Sequence, residues 1–181
     1  MKKTILATSV LVLAMGSTFA HAEDRSGFFL AGGLGLGTNA MEASFNGATE
    51  SESGNGGVIT SFKIGGHINP NFALYYQNEV SFFDDSGDNG YTAGMSGIGG
   101  TYYLDQSGGF YLEGGLGLGV FVSDTGLIEG TGVGVLFGAG TEINDNLEAG
   151  LIFMSTSTED SYWEGLEYGT KTFGAKLTLK L

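Results

Sequence analysis

Apolar residues alternate with small or polar residues along most of this 181-residue chain. Between residues 110 and 122, for example, Leu112 and Leu118 share one parity, whereas Glu113 and Gly117 share the other. A period of two is typical of β-strands with one apolar face, because successive side chains point to opposite sides of a strand. The pattern predicts eight strands, at residues 27–37, 58–68, 72–83, 92–104, 110–122, 132–143, 147–155 and 169–181.

The predicted connections between these strands alternate in length. Short turns rich in Asn, Asp, Gly and Pro lie at residues 69–71, 105–109 and 144–146. Long polar loops lie at residues 38–57, 84–91, 123–131 and 156–168. This arrangement predicts an all-β fold, an eight-stranded antiparallel up-and-down transmembrane β-barrel with short periplasmic turns and long extracellular loops.

A soluble lipocalin-like barrel or a sandwich is the alternative fold, and it would turn its apolar face inward. Here the opposite face is mostly Gly, with some Glu, Lys, Thr and Tyr, which suits the narrow interior of an eight-stranded barrel. The Leu, Val and Phe face suits lipid, and a closed barrel satisfies every backbone hydrogen-bonding group within hydrocarbon. The pattern therefore favours the membrane barrel.

The N-terminus has the features of a secretory signal. Lys2 and Lys3 precede a short apolar run at residues 5–15, and Ala20 and Ala22 fit a small-residue cleavage site. The run is too short for a transmembrane helix, which needs about 20 apolar residues. We expect residues 1–22 to be a signal peptide and residues 23–181 to be the outer-membrane β-barrel domain, located in a bacterial outer membrane.

The strand pattern resembles the small eight-stranded outer-membrane barrels of the OmpX/Ail type and the transmembrane half of OmpA. The resemblance is based on the segments 27–32 (GFFLAG), 72–74 (FAL) and 111–117 (YLEGGLG), and it covers residues 27–181. The last strand, Lys171 to Leu181, is similar to the C-terminal signal that the barrel-insertion machinery reads. The resemblance implies a barrel without an enzymatic role and a transient partnership with that machinery.

The composition excludes several classes of function. The chain has 34 Gly and 0 Cys, and its 7 Lys and Arg against 20 Asp and Glu give a formal net charge of −13. Without cysteine there is no thiol or disulfide chemistry. A nucleic-acid partner needs a basic face, so the charge argues against one. Abundant glycine also argues against long helices, since each Gly in a helix costs about 1 kcal/mol relative to Ala.

The sequence contains few candidates for catalysis, and we expect neither an enzyme nor a cofactor. The glycine run 33–37 continues at strand spacing rather than opening a helix, so it is not a nucleotide-binding loop. His67 invites comparison with lipid A deacylase barrels, which place a Ser two residues after the His, but Asn69 occupies that position here. A lipid A-modifying enzyme is therefore the weakest functional hypothesis.

Charged residues on the small-residue parity predict a polar network inside the barrel. Its predicted members are Lys63, Glu79, Glu113, Glu142, Glu148 and Lys176. The four acids outnumber the two lysines, so we expect a surplus carboxylate and a central role for Lys176 beside Glu113, Glu142 and Glu148. The network either fills and closes the lumen or lines a gated pore or proton path.

Aromatic residues near the strand ends predict two belts at the membrane interfaces. The predicted belt residues are Phe28, Phe72, Tyr102 and Phe110 at one rim and Tyr91, Tyr162, Trp163 and Tyr168 at the other. Asp84, Asp85 and Asp88 form half of a calcium-loop pattern, which lacks the Gly and Glu of an EF-hand. They predict at most a weak Ca²⁺ site in an acidic loop.

These observations predict a structural, envelope-integrity or surface-interaction role, such as adhesion or defence. The alternative is a narrow pore or a conduit for small molecules. The predicted long loops hold twelve acids and neither Lys nor Arg. We therefore expect divalent cations to bridge the loops to lipopolysaccharide, and any extracellular protein partner to be basic.

Overall fold

The computed structural model describes residues 25–84, 90–105, 109–124, 129–161, 163 and 165–181, and the side chains of these residues apart from 53–55. Eight β-strands make up the fold: β1 Gly27–Phe45, β2 Ala48–Asn69, β3 Phe72–Asp84, β4 Gly90–Tyr103, β5 Phe110–Ser123, β6 Glu129–Asn144, β7 Leu147–Asp160 and β8 Leu166–Lys180. No helix within these residues is long and apolar enough to span a membrane.

The eight strands form one closed antiparallel barrel in chain order. Each strand pairs with the next, and β8 returns to β1, where Ala31 lies opposite Lys180 and Phe45 opposite Leu166. Closure leaves no open edge within the cylinder, which removes the unpaired backbone groups that hydrocarbon would penalise. The predicted fold class is confirmed.

Two of the periplasmic turns have the same side-chain hydrogen bonds. In the β2–β3 turn, Asn69 accepts a bond from the backbone N–H of Asn71 at 2.9 Å, and the Asn71 amide donates to the carbonyl of Tyr103 at 2.9 Å. Asn144 and Asn146 repeat this arrangement in the β6–β7 turn, with bonds of 3.0 Å and of 2.9 Å to Lys180. Asn side chains thus both shape each turn and attach it to a neighbouring strand.

The prediction of a long loop at residues 38–57 is wrong. β1 and β2 continue through this segment and meet at a two-residue turn, in which Asn46 and Gly47 have φ angles of 50° and 83°. Asn-Gly suits a type I′ hairpin, which requires positive φ at both central residues. The strands extend beyond their apolar stretch because backbone pairing, and not lipid contact, holds them there.

The predicted loop at residues 156–168 is also much shorter than expected, because β7 reaches Asp160 and β8 begins at Leu166. Strands also occupy Asp84, residues 90–91 and residues 129–131 at the margins of the other two predicted loops. The centres of those loops, residues 85–89 and 125–128, lie outside the described residues, as does the predicted signal peptide at residues 1–22.

The two faces of the wall follow the parity of the sequence. Large apolar side chains point outward; for example, Leu116 is 67% exposed and Leu118 is 70% exposed. Small, polar and charged residues of the other parity point inward, together with buried clusters of apolar side chains. An apolar exterior around a charged interior is the arrangement of a membrane barrel and the reverse of a soluble one.

Candidate functional site

The structure places all six residues of the predicted polar network inside the barrel and separates them into two groups. The central group contains Lys63, Glu79, Glu113 and Lys176, and the periplasmic group contains Glu142 and Glu148. All six side chains are buried. Burial of this many charges is tolerable only where each one is paired.

In the central group, cations and carboxylates alternate across the lumen. Lys63 pairs with Glu113, and the Lys176 Nζ lies 3.1 Å from Glu113 Oε1 and 3.0 Å from Glu79 Oε2. The Lys63 Nζ also lies 4.8 Å from the ring centre of Tyr75. The four charged residues come from β2, β5, β8 and β3, so this group connects walls of the barrel that backbone pairing does not connect.

The periplasmic group contains two cations that the sequence analysis missed. The Lys180 Nζ lies 2.7 Å from Glu142 and 2.9 Å from Glu148. Arg25 also pairs with Glu142, and the Tyr103 hydroxyl donates to Glu148 at 3.1 Å. Lys180 shares the inward parity of Lys176, which could have identified it, whereas Arg25 precedes β1 and has no strand parity.

The expected surplus of carboxylate is therefore wrong. The two groups together set four carboxylates against four cations. The expectation that Lys176 pairs with Glu142 and Glu148 is also wrong. Lys180 pairs with both of these acids, and Arg25 pairs with Glu142. The parity argument left out Lys180, the last residue of β8, and it could not place Arg25, which precedes β1.

Arg25 covers the periplasmic end of the barrel. Its guanidinium donates to the carbonyl of Pro70 at 3.2 Å and to that of Asp105 at 2.8 Å. It also lies 4.1 Å from the ring centre of Tyr103, and only 7% of its side chain is exposed. Arg25 thus ties the β2–β3 turn and the β4–β5 connection to Glu142 of β6, and it closes the interior at this end.

Two predicted members of the extracellular aromatic belt, Tyr91 and Tyr168, point inward instead, so those predictions are wrong. Tyr91 stacks on Phe121 with ring centres 5.6 Å apart, and Phe121 lies 4.9 Å from Tyr168. Phe83 joins the same cluster. Both tyrosines have the inward parity of their strands, and that parity outweighs their position near the strand ends. The cluster fills the extracellular end of the interior.

The other belt residues differ in position. Phe28, Tyr102 and Phe110 are exposed on the outer wall near the periplasmic rim, and Phe72 is partly exposed there. At the extracellular side, Trp163 is exposed, while Tyr162 lies outside the described residues. The periplasmic rim therefore has outward aromatic residues at the four predicted positions. Among the described residues predicted for the extracellular rim, Trp163 alone points outward.

Between the two ends, an apolar layer and a hydroxyl-rich layer fill the interior. Met95, Leu136 and Met154 are fully buried and form one cluster. Thr156 and Thr170 share a hydrogen bond of 2.6 Å at a neighbouring level. Charged, apolar, hydroxyl and aromatic side chains therefore fill the interior in turn, from Arg25 at the periplasmic end to the aromatic cluster at the extracellular end.

The residues considered for catalysis and for metal binding lie at different places in the structure. The His67 ring lies 5.3 Å from that of Phe29 and 5.9 Å from that of Tyr103, near the periplasmic turns. Within the described residues, no group of three His, Cys, Asp or Glu could hold a metal ion. Asp84 ends β3, whereas Asp85 and Asp88 of the predicted calcium site lie outside the described residues.

On the extracellular side, part of the sheet extends above the rest of the wall. β1 pairs with β8 as far as Phe45, but β2 pairs with β3 only from Gly57 onward. Among the described residues, residues 48–56 of β2 therefore pair only with β1, and no described strand pairs with their other edge. Glu50 lies on this segment, opposite Ala43 of β1. On the outer face of the sheet, the Lys171 Nζ lies 3.2 Å from Glu42 Oε1.

No protein-family model and no curated protein sequence matches the chain. Solved structures do resemble it. The Neisserial surface protein A is 15% identical, with 87% of this chain and 100% of the other covered and a TM-score of 0.52. Ail, the attachment invasion locus protein of Yersinia pestis, is 14% identical, with 82% and 98% covered and a TM-score of 0.50. The outer membrane protein OprG of Pseudomonas aeruginosa is 11% identical, with 90% and 99% covered and a TM-score of 0.49.

These neighbours show the fold: the chain is an eight-stranded barrel of the outer-membrane type. The predicted outer-membrane location agrees with them and with the apolar outer wall described above. At this level of identity the likeness does not extend to a ligand or an activity.

Proposed function

We propose that this protein is an integral outer-membrane barrel with a closed interior, whose role is to present an extracellular sheet to a basic partner outside the cell. The observation that carries the proposal is the open edge of β2 at residues 48–56, which extends above the membrane wall. The alternatives from the sequence were a pore and an enzyme, and the packing of the interior argues against the pore.

The filled interior disfavours a conduit. A pore needs a continuous polar path, but Met95, Leu136 and Met154 form an apolar cluster between the charged groups and the extracellular end. Arg25 covers the periplasmic end. The paired charges connect opposite walls, and removal of one partner would leave another charge buried and uncompensated. The proposed role requires neither a cofactor nor a nucleophile.

The open edge supplies a mode of recognition. An unpaired strand edge presents backbone N–H and C=O groups that an extended peptide can use to add a strand. In soluble proteins, Lys or Pro commonly protects an exposed edge strand from pairing with another chain, and residues 48–56 contain neither. The acid Glu50 on this strand favours a partner with Lys or Arg. Membrane lipids contact the wall, and a divalent-cation bridge between the acidic loops and lipopolysaccharide stays a prediction.

The proposal can be tested with fluorescent peptides on cells that display the protein. We expect an alternating Lys/Val peptide to bind, an alternating Glu/Val peptide to fail, and Glu50→Lys to abolish binding. Glu159→Lys, on β7 and away from the edge, is the matched control and should bind normally. A Lys/Val peptide that is N-methylated at every residue loses its backbone donors on both edges and should also fail. Equal binding of the methylated and plain peptides would contradict strand addition.

A further inference from the structure

The lipid-facing wall contains a polar pair near its centre. Asn78 of β3 and Ser96 of β4 lie opposite each other, and the Asn78 amide donates to the Ser96 hydroxyl at 2.5 Å. Both residues have the outward parity, since their neighbours Gln77, Glu79 and Met95 are fully buried inside the barrel. Asn78 and Ser96 are themselves partly exposed.

The depth of this pair places it in hydrocarbon. Asn78 is the central residue of the 13-residue strand β3, between Phe72 and Asp84. At about 3.4 Å per residue and a tilt of about 40°, it lies roughly 15 Å below either end of the strand. The apolar band of such barrels is about 25 Å tall. Asn78 therefore faces the middle of the membrane.

The surroundings of the pair are otherwise apolar. Across the strands, Phe62 lies beside Asn78, and Leu118 lies beside Ser96. On the periplasmic side, Ile98 of β4 is 63% exposed. The carboxamide of Asn78 has two N–H donors and an oxygen with two lone pairs, and its bond to Ser96 uses one donor. Hydrocarbon offers nothing to the remaining groups, and polar groups at this depth mark contacts between membrane segments.

We propose that this face, defined by Phe62, Asn78, Ser96 and Leu118, is the interface of a homodimer within the membrane plane. A carboxamide is complementary to its own copy: across a twofold axis, each Asn78 can donate to the oxygen of the other. Twofold homodimers are the commonest symmetric assemblies, and in them the same patch meets itself. Gly94 and Ser96 lie two residues apart on β4 and are small, which lets a second wall approach closely. The face carries no charged residue, so two copies do not repel each other there.

The absence of cysteine makes the interface testable by disulfide trapping, because each variant then carries a single thiol. Ser96→Cys should give an oxidant-dependent dimer in native membranes, because a residue near a twofold axis lies beside its own copy. Leu151→Cys, exposed on β7 in another part of the wall, is the control and should remain a monomer. Adding Asn78→Leu to Ser96→Cys should abolish the dimer, whereas adding Ser155→Ala should not.

The inference rests on the membrane insertion that the proposed function assumes, and the readouts separate the two. Heat-modifiable migration and fractionation with outer membranes report on the barrel itself. A folded, inserted barrel that gives no Ser96→Cys dimer, or gives one as readily from Leu151→Cys, overturns the interface alone. A cross-linked band that mass spectrometry assigns to another polypeptide also overturns it. A chain absent from the outer membrane overturns the proposed function and the interface together. For the unmodified protein, sedimentation equilibrium should show a dimer that Asn78→Leu converts to a monomer.

Discussion

Replacing Lys176 with Met should destabilise the barrel more than Glu148→Gln does. Lys176 is the cation between Glu79 and Glu113, and its ammonium group lies within 3.1 Å of both carboxylates. Glu113 keeps Lys63 as a partner in the variant. Glu79 is fully buried, and Lys176 is its only partner within salt-bridge distance among the described residues. The loss therefore falls mainly on Glu79.

The magnitude follows from leaving a buried charge without its partner, which typically costs about 3–5 kcal/mol of folding free energy. Glu79→Gln added to Lys176→Met removes the uncompensated charge and should recover more than half of this loss. Glu113→Gln added to Lys176→Met should recover less, because it leaves Glu79 ionised and takes a partner from Lys63. Glu148→Gln alone should cost only about 1–3 kcal/mol, since Lys180 keeps Glu142.

Urea unfolding in lipid vesicles, followed by the β signal in circular dichroism, measures these differences in the free energy of unfolding. Cold and boiled electrophoretic migration checks that each variant has folded. A Lys176→Met variant within 1 kcal/mol of the unmodified protein would refute the reasoning. Better rescue by Glu113→Gln than by Glu79→Gln would show that Glu113, and not Glu79, is the carboxylate left without a cation in Lys176→Met.

Three further changes test the wall, the hairpin and the periplasmic end. Leu118→Arg should cost about 2–4 kcal/mol in vesicles because it places a charge in lipid, and an effect no larger than that of Leu118→Met would contradict the outward assignment. Gly47→Ala should cost about 1 kcal/mol because its φ of 83° strains a side chain, whereas Gly56→Ala meets no neighbouring atom and should be neutral in the same urea assay. Arg25→Gln should speed hydrogen exchange at the periplasmic turns and leave the β1–β2 hairpin unchanged. The same increase in exchange rate at both ends would contradict the idea that Arg25 ties the periplasmic turns to Glu142.

Strand parity predicted the barrel because lipid and a narrow interior impose opposite demands on alternate residues. The pattern of Leu112, Glu113, Gly117 and Leu118 is a direct result of that constraint. The upper parts of β1 and β2 were missed because they leave the lipid, so their residues no longer need an apolar face. Only the Asn46–Gly47 turn signals that hairpin in the sequence.

The interior was predicted less completely than the wall. Lys180 and Tyr168 have inward parity, so a strict use of the pattern would have placed both correctly. Arg25 could not be placed in this way, because its position depends on carbonyl groups of turns far away in the chain. The pairing within the network could not be predicted either, since it depends on the shear that sets which strands face each other across the lumen.

The central claim is that the Leu, Val and Phe face meets lipid while the other face closes the interior. Methyl-resolved nuclear Overhauser spectra in lipid nanodiscs test it most directly. We expect cross-peaks from acyl-chain protons to the methyl groups of Leu116 and Leu151, and none to those of Leu136 and Ile59, which are fully buried. Acyl-chain contacts at Leu136 and Ile59 without contacts at Leu151 would contradict the account.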